Sequence, residues 1–226
     1  MNQTPIQKLK SKKIYTIEGN IGAGKTTILN IIGKNFDDVT FVEEPVSQWQ
    51  NLGGENLLEK FYQDPERWGF TFEFYSMLSK IKCLMKAADS EKNIIIIERS
   101  ILSNKIFIDI SKEMNKLNDL EYGMLINTYN FYKQNVYPIL NGIIYLNTPV
   151  DVCVQRIIQR NRGGENNLDK NYLLMLKEKF DELSNNSTIP TLVIDGNFDL
   201  ERDSNKIGRD IHSFMAPNSS SKAIII

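Results

Sequence analysis

Residues 18–27 read Glu-Gly-Asn-Ile-Gly-Ala-Gly-Lys-Thr-Thr, and Gly19, Gly24, Lys25 and Thr26 within them satisfy G-x-x-x-x-G-K-[ST]. The flanks suit this loop. The apolar run Ile14–Ile17 before it reads as a strand, and Thr27-Ile28-Leu29-Asn30-Ile31-Ile32 after it reads as a helix. Glycines in such a turn let backbone N–H groups approach phosphate oxygens, and the helix N-terminus adds its dipole. Lys25 is then expected to reach the β- and γ-phosphates and Thr26 to hold Mg²⁺. The expected ATP-binding residues of the loop are Gly19, Asn20, Ile21, Gly22, Ala23, Gly24, Lys25, Thr26 and Thr27.

Bulk properties narrow the remaining classes. A chain of 226 residues suffices for one α/β domain with a substantial core. Its net charge of −1 gives no global field that would favour nucleic acid or an anionic membrane. No apolar run approaches the ~20 residues of a membrane span. Met1–Lys13 carries Lys8, Lys10, Lys12 and Lys13 without an apolar stretch, so neither a secretory signal nor a transit peptide is expected, and the expected location is cytoplasmic. Cys83 and Cys153 are far apart in helix-like sequence and read as packing residues. His212 is the only histidine and lies near the C-terminus, so a general base is expected among the carboxylates.

Apolar strand-like runs recur at Lys13–Ile17, Val39–Val42, Asn93–Ile97, Gly142–Leu146 and Thr191–Ile194, with longer helical stretches between them. That alternation predicts a five-stranded parallel sheet with helices on both faces, a three-layer α/β fold. Ile94–Ile97 is apolar on both faces, as a central parallel strand should be. Asp64-Pro65 reads as an N-cap and an N1 proline opening a long helix to about Ala88. The expected domain spans 13–215, after a flexible N-terminus over 1–12 and before a disordered tail over 216–226.

Ligands of open α/β sheets bind at the carboxyl ends of the strands. The second strand ends in Glu43-Glu44-Pro45 and the third in Glu98-Arg99-Ser100. The fourth runs into Asn147-Thr148-Pro149 and a helix bearing Arg156, Arg160 and Arg162. Acidic and basic groups thus converge where a nucleotide's phosphates would lie, which suits phosphoryl transfer.

Together with Glu18–Thr27, several segments resemble the deoxynucleoside kinases, the family of deoxycytidine, deoxyguanosine and mitochondrial thymidine kinases. They are Glu44–Trp49, Leu57–Pro65, Glu98-Arg99-Ser100, the arginine-rich stretch 156–165 and Leu192–Glu201. The similarity runs from about residue 13 to 203 and implies the P-loop kinase fold, with ATP as phosphate donor, Mg²⁺ and a deoxynucleoside acceptor. It implies that Glu44 is the general base for the sugar 5′-hydroxyl, that Arg99 holds the 5′-oxygen, and that Glu98 joins Thr26 near Mg²⁺. Tyr62 and Glu165 match the pair that holds the sugar 3′-hydroxyl. Arg156, Arg160 and Arg162 match the arginines of a lid, here about 160–168, that closes over ATP phosphates. The family usually has an acidic residue where Gly164 stands, so lid behaviour is expected to differ.

The base pocket departs from the family pattern. Glu73 occupies the place of the family's base-reading glutamine, Lys80 stands where deoxycytidine and deoxyguanosine kinases carry an arginine, and Asn104 where they carry an aspartate. An ionised Glu73 offers acceptors only and would suit the adjacent N1–H and 2-amino donors of guanine; a protonated Glu73 would imitate glutamine. Lys80 is expected to meet guanine O6 or to neutralise Glu73. The family's aromatic after Glu-Arg-Ser falls at Ile108, with Phe107 one position earlier, leaving Trp49 and Phe72 to pack against the base.

The resemblance also implies a homodimer built on a helical bundle. Ile101, Leu102, Ile106, Phe107, Ile108, Ile110 and Met114 form too wide an apolar surface for one buried face, which points to that helix as the interface. Two alternatives stand beside the deoxynucleoside kinase reading: a thymidylate-type monophosphate kinase, and a non-catalytic family member serving in an assembly.

Overall fold

The computed structural model describes residues 3–137, 139–165, 168–216 and 224–225. Its strands are β1 (Lys13–Gly19), β2 (Val39–Val42), β3 (Ile94–Glu98), β4 (Gly142–Asn147) and β5 (Thr191–Asp195), all parallel, in the order β2-β3-β1-β4-β5. The five-stranded sheet expected from the apolar runs is therefore present. The register sets Ile17 beside Glu98 and Gly19 beside Leu146, so the phosphate loop and the Glu98-Arg99 corner leave the sheet at one edge.

Both faces of the sheet are covered. Tyr15 and Ile17 of β1 pack with Ile96, Ile144 and Leu192 beneath α2 (Lys25–Asn35) and α10 (Leu200–Met215). On the opposite face, Ile143 and Tyr145 meet α6 (Ile101–Glu113), α8 (Val150–Arg160) and α9 (Lys170–Asn186). Ile14, Ile95 and Ile97 meet α5 (Pro65–Ala87) there. Each such fully buried isoleucine contributes roughly 1.5–3 kcal/mol of transfer free energy. Three layers result, as the alternating pattern predicts.

α3 (Val46–Gln50) and α4 (Leu57–Gln63) follow β2 and lead into α5. Asp64 ends α4 and caps α5, its side chain accepting from the Arg67 N–H, with Pro65 at the first helical position. Both cysteines are free, Cys153 in the core, and His212 stacks on Phe36 at 5.3 Å between ring centres.

Within the N-terminal segment 1–12, expected to be flexible, α1 (Pro5–Leu9) has a capping box between Thr4 and Gln7, and Leu9 is buried. Of the tail expected to be disordered, 217–223 and 226 lie outside the described residues, and β6 (Ile224–Ile225) runs parallel to β5.

The apolar surface of α6 is also used differently. Ile101, Ile106, Ile108 and Ile110 are buried within the chain, and Leu102, Phe107 and Met114 pack against the same clusters. Among the described residues, α7 (Asp119–Asn135) carries exposed apolar side chains instead, Leu120, Met124 and Phe131 being 73%, 49% and 58% exposed; Phe74 of α5, a helix that packs on α7, is 39% exposed. Among the described residues no helix is long and apolar enough to cross a membrane.

Candidate active site

The phosphate loop takes its shape from glycine at two positions. Gly22 has φ 76°, and a Cβ there would sit 2.6 Å from the Cys153 carbonyl oxygen. Gly24 has φ 101° and forms the N-cap of α2, so the first-turn N–H groups at Lys25, Thr26 and Thr27 have no acceptor within their own helix. Asn20, Ile21 and Ala23 hold the loop rather than project from it. The Asn20 side chain donates to the Leu173 carbonyl and accepts from the Ile21 N–H, while Ala23 is buried in the core. The Ala23 carbonyl accepts from Thr148 at 3.0 Å and from Arg156 at 2.9 Å, which docks this lid arginine against the loop. Lys25 folds back to donate to the Asn20 carbonyl at 2.9 Å. Burial, and then the Arg99 charge, lower its pKa to about 7 against the pull of Glu98 and Glu44.

Glu44, in the turn after β2, is the hub of the site. Its Oε2 accepts from Arg99 Nη1 at 2.7 Å and its Oε1 lies 3.1 Å from Lys80 Nζ. Burial alone would raise its pKa, but Arg99, Lys80 and Lys25 outweigh that and hold it down at about 2. Arg99 has φ 55°, a left-handed backbone that aims its guanidinium back across the sheet edge. That strain is fixed by a residue the sequence reading missed. Glu18 is fully buried, and its carboxylate accepts from the Ser100 N–H and from the Ser100, Ser103 and Thr16 hydroxyls, clamping the start of α6. A glutamate ending a β-strand opposite two serines was the available signal.

Thr26 Oγ1 donates to Glu98 Oε1 at 3.4 Å. Among the described residues no group of three or more His, Cys, Asp or Glu gathers as a self-sufficient metal site. One hydroxyl and one carboxylate are hard oxygen donors, a set that fits Mg²⁺, which keeps waters and takes phosphate oxygens.

A cavity of about 360 Å³ opens beside Glu44, with Trp49, Phe61, Phe72, Phe107 and Tyr172 among its lining residues. Phe61 stacks on Phe72 at 4.6 Å, and Trp49 meets Phe72 edge-on at 5.3 Å while its indole N–H donates to Ser79. Ile108 does not reach this cavity. It is fully buried with Met77, Leu125 and Tyr129, and Phe107, one position earlier, faces the cavity instead. Phe61 and Tyr172 were not anticipated. Asn104 sits behind the wall, donating to the Ser76 hydroxyl at 3.0 Å.

Glu73 lines the cavity with 1% of its surface exposed, and its Oε1 has no hydrogen-bond partner. Lys80, expected to meet guanine O6 or to neutralise Glu73, is paired with Glu44. Desolvation dominates and raises the Glu73 pKa to about 8, Lys80 opposing and Glu44 assisting.

Tyr62 and Glu165 both line the cavity, and burial first, then Glu165, raises the tyrosine's pKa. Glu165 is ion-paired to Arg160 and, at 3.2 Å, to Arg162. Gly164 has φ 82° and lies against the Tyr62 ring, where a Cβ would come within 3.0 Å. Asn166 and Asn167 of the expected lid lie outside the described residues.

A second cavity of about 490 Å³ lies on the other side of the loop, against Thr27, Arg156 and Phe198. The two cavities share Gly22, Lys25, Thr26, Glu98 and Arg160. One buries a ring-sized space beside a carboxylate, the other surrounds the phosphate loop, and charged groups stand between them.

Comparison with known proteins agrees with this geometry. The family model described as deoxynucleoside kinase matches residues 15–216. A probable deoxycytidine kinase of fowlpox virus is 38% identical over 205 residues, covering 88% of this chain and 85% of its own. Human deoxycytidine kinase is 31% identical, covering 91% of each chain. The mitochondrial deoxyguanosine kinase of Xenopus laevis is 28% identical, covering 90% of each.

Proposed function

The chain belongs to the deoxynucleoside kinase family and is an ATP-dependent nucleoside kinase; on that premise we propose how its own residues divide the work of phosphorylating a deoxynucleoside 5′-hydroxyl. The nucleoside occupies the aromatic-walled cavity and ATP the one across the loop. The observation that carries this reading is the boundary between them: Lys25, Thr26, Glu98 and Arg160 line both cavities, and Glu44 stands at the edge of the first, 2.7 Å from Arg99.

Glu44 is the general base. Held ionised by two cations, it is a weak base, so it takes the 5′-proton as the new P–O bond forms and the hydroxyl becomes acidic, which suits a loose transition state. Arg99 fixes the carboxylate and holds the 5′-oxygen in line. Lys25 and the first turn of α2 receive the phosphates, and Arg156, Arg160 and Arg162 close over them. Thr26 and Glu98 would hold Mg²⁺, which would supply neutralisation of the phosphate charge. Tyr62 and Glu165 receive the 3′-hydroxyl, Glu165 doing so while tied to the lid arginines; sugar binding and lid position are thereby linked. Trp49 and Phe72 pack against the base and Glu73 meets its edge; Lys80 acts through Glu44.

The enzyme works in the cytoplasm as a homodimer whose interface is the exposed face of α7 with Phe74, not α6. Phe131→Glu should then shift sedimentation from dimer to monomer; a wild-type monomer at micromolar concentration would count against the dimer. The activity itself is tested by incubating the protein with ATP labelled in the γ-phosphate and a panel of deoxynucleosides and deoxynucleoside monophosphates. Label is expected on nucleosides and absent from monophosphate acceptors; the reverse pattern would displace this reading.

A further inference from the structure

Among the described residues, Glu73 is the one carboxylate with a buried oxygen that the chain leaves without a hydrogen-bond partner. Its side chain is 1% exposed, and Oε1 is without a hydrogen-bond partner. The charged or titratable groups that face it are Lys80 from its own helix, Glu44 from the turn after β2, Arg99 from the corner before α6, Tyr62 from α4 and Tyr172 from α9. Both cations are ion-paired with Glu44, at 3.1 and 2.7 Å, and the Arg99 Nε that is left without a partner makes no hydrogen bond to Glu73. The neutral donors behind the wall are spent as well: Asn104 Nδ2 on Ser76, the Ser79 hydroxyl on the Ser76 carbonyl, the Trp49 indole on Ser79. Asn104 Oδ1 is itself a buried acceptor without a partner. A carboxylate so placed has an oxygen, Oε1, with no donor, and lies near a second carboxylate that is paired with both Lys80 and Arg99.

We infer that Glu73 reads the base as a neutral carboxylic acid, and that base choice is therefore set by pH. The intact acid takes an edge offering one acceptor and one donor, such as cytosine N3 and its 4-amino group; the ionised form favours the paired donors of guanine. The neutral acid has one O–H donor and one carbonyl acceptor side by side, as a glutamine amide has, whereas the carboxylate has acceptors alone. Cytosine against the carboxylate leaves two acceptors facing each other in a dry site, which is costly. Guanine can also meet the neutral acid, through O6 and N1–H, so ionisation removes the match to cytosine while guanine keeps one against either form. The raised pKa of Glu73, about 8, brings the changeover within an accessible range.

This inference rests on the kinase reading above, and the test separates the two. kcat/KM is measured for deoxycytidine and deoxyguanosine at pH 6.5, 7.5 and 8.5. Titration of Glu44 or Lys25 affects both nucleosides alike and cancels in their ratio. The deoxycytidine-to-deoxyguanosine ratio is expected to fall by about fourfold across that range, since cytosine needs the neutral form, whose share drops by about that much on passing a pKa of about 8. In Glu73→Gln it should stay constant within about twofold. Calorimetry on the wild type, in buffers of differing ionisation enthalpy, needs neither turnover nor a variant: deoxycytidine binding at pH 8.5 should take up a proton. A flat wild-type ratio, or deoxycytidine binding without proton uptake at pH 8.5, would overturn the inference while leaving the kinase intact. Failure to phosphorylate any nucleoside would instead strike the kinase reading, and the calorimetric result would still decide the state of Glu73.

Discussion

Glu44 and Glu73 line one cavity, the first largely and the second fully buried, yet their surroundings drive them apart. Glu44 has Arg99 and Lys80 against its two oxygens and is held at about 2; Glu73 has no partner on Oε1 and is pushed to about 8. Burial raises both. What separates them is where two cations were placed: Arg99 first and then Lys80 hold Glu44 down, and Lys80 grows from the same helix as Glu73 but reaches across to Glu44. The contrast divides labour: an ionised group for the hydroxyl, a neutral one for the base.

The largest effect expected from breaking this contrast is at Glu44. Glu44→Gln removes the proton acceptor and should lower turnover by roughly 10²–10⁴-fold, the usual worth of a positioned base, with ATP binding preserved. Single-turnover kinetics would check it, and near-wild-type chemistry would remove Glu44 from its role.

The two carboxyls should also leave opposite marks on stability. Glu73 is raised above its ordinary 4.5, so the folded state keeps a proton that the unfolded chain loses, and stability falls as pH rises from 4.5 to about 8. Glu73→Gln abolishes that loss. Its advantage over wild type in urea unfolding should grow by about 1.4 kcal/mol per pH unit at most, reaching a few kcal/mol at pH 8. Glu44 is depressed, so its contribution is complete above its ordinary 4.5 and is lost as pH falls through about 2. Equal pH dependence in Glu73→Gln and wild type would mean that Glu73 is ionised throughout.

A smaller effect is expected at Lys80. Lys80→Met leaves Glu44 with Arg99 alone, so the acid limb of kcat/KM should move upward by about one pH unit, with turnover changed less than about tenfold. A shift in the alkaline limb without one in the acid limb would place Lys80 on Glu73 after all.

Much of this was legible in the sequence where local rules suffice. The strands were bounded apolar runs, the loop was a spaced motif between strand and helix, and Asp64-Pro65 marked the start of α5. The Thr4–Gln7 capping box was also written in the chain and was passed over. What stayed hidden depends on distance and phase. One residue of helix is about 100°, which is the difference between Phe107 facing the cavity and Ile108 facing Met77 and Leu125. Lys80 lies two helical turns from Glu73, but its partner comes from another strand end, and no spacing rule carries that information. The clamp of Glu18 on Ser100 and Ser103 likewise joins residues more than eighty apart.

The central claim is that at neutral pH one cavity holds an ionised Glu44 and a neutral Glu73. Carbon NMR of protein labelled at the glutamate δ-carboxyl, assigned by comparison with Glu44→Gln and Glu73→Gln, reads both groups in one titration. The resonance lost in Glu73→Gln should move with a midpoint near 8, and the one lost in Glu44→Gln should keep its carboxylate position down to about pH 3. Two midpoints near the ordinary glutamate value would contradict the account.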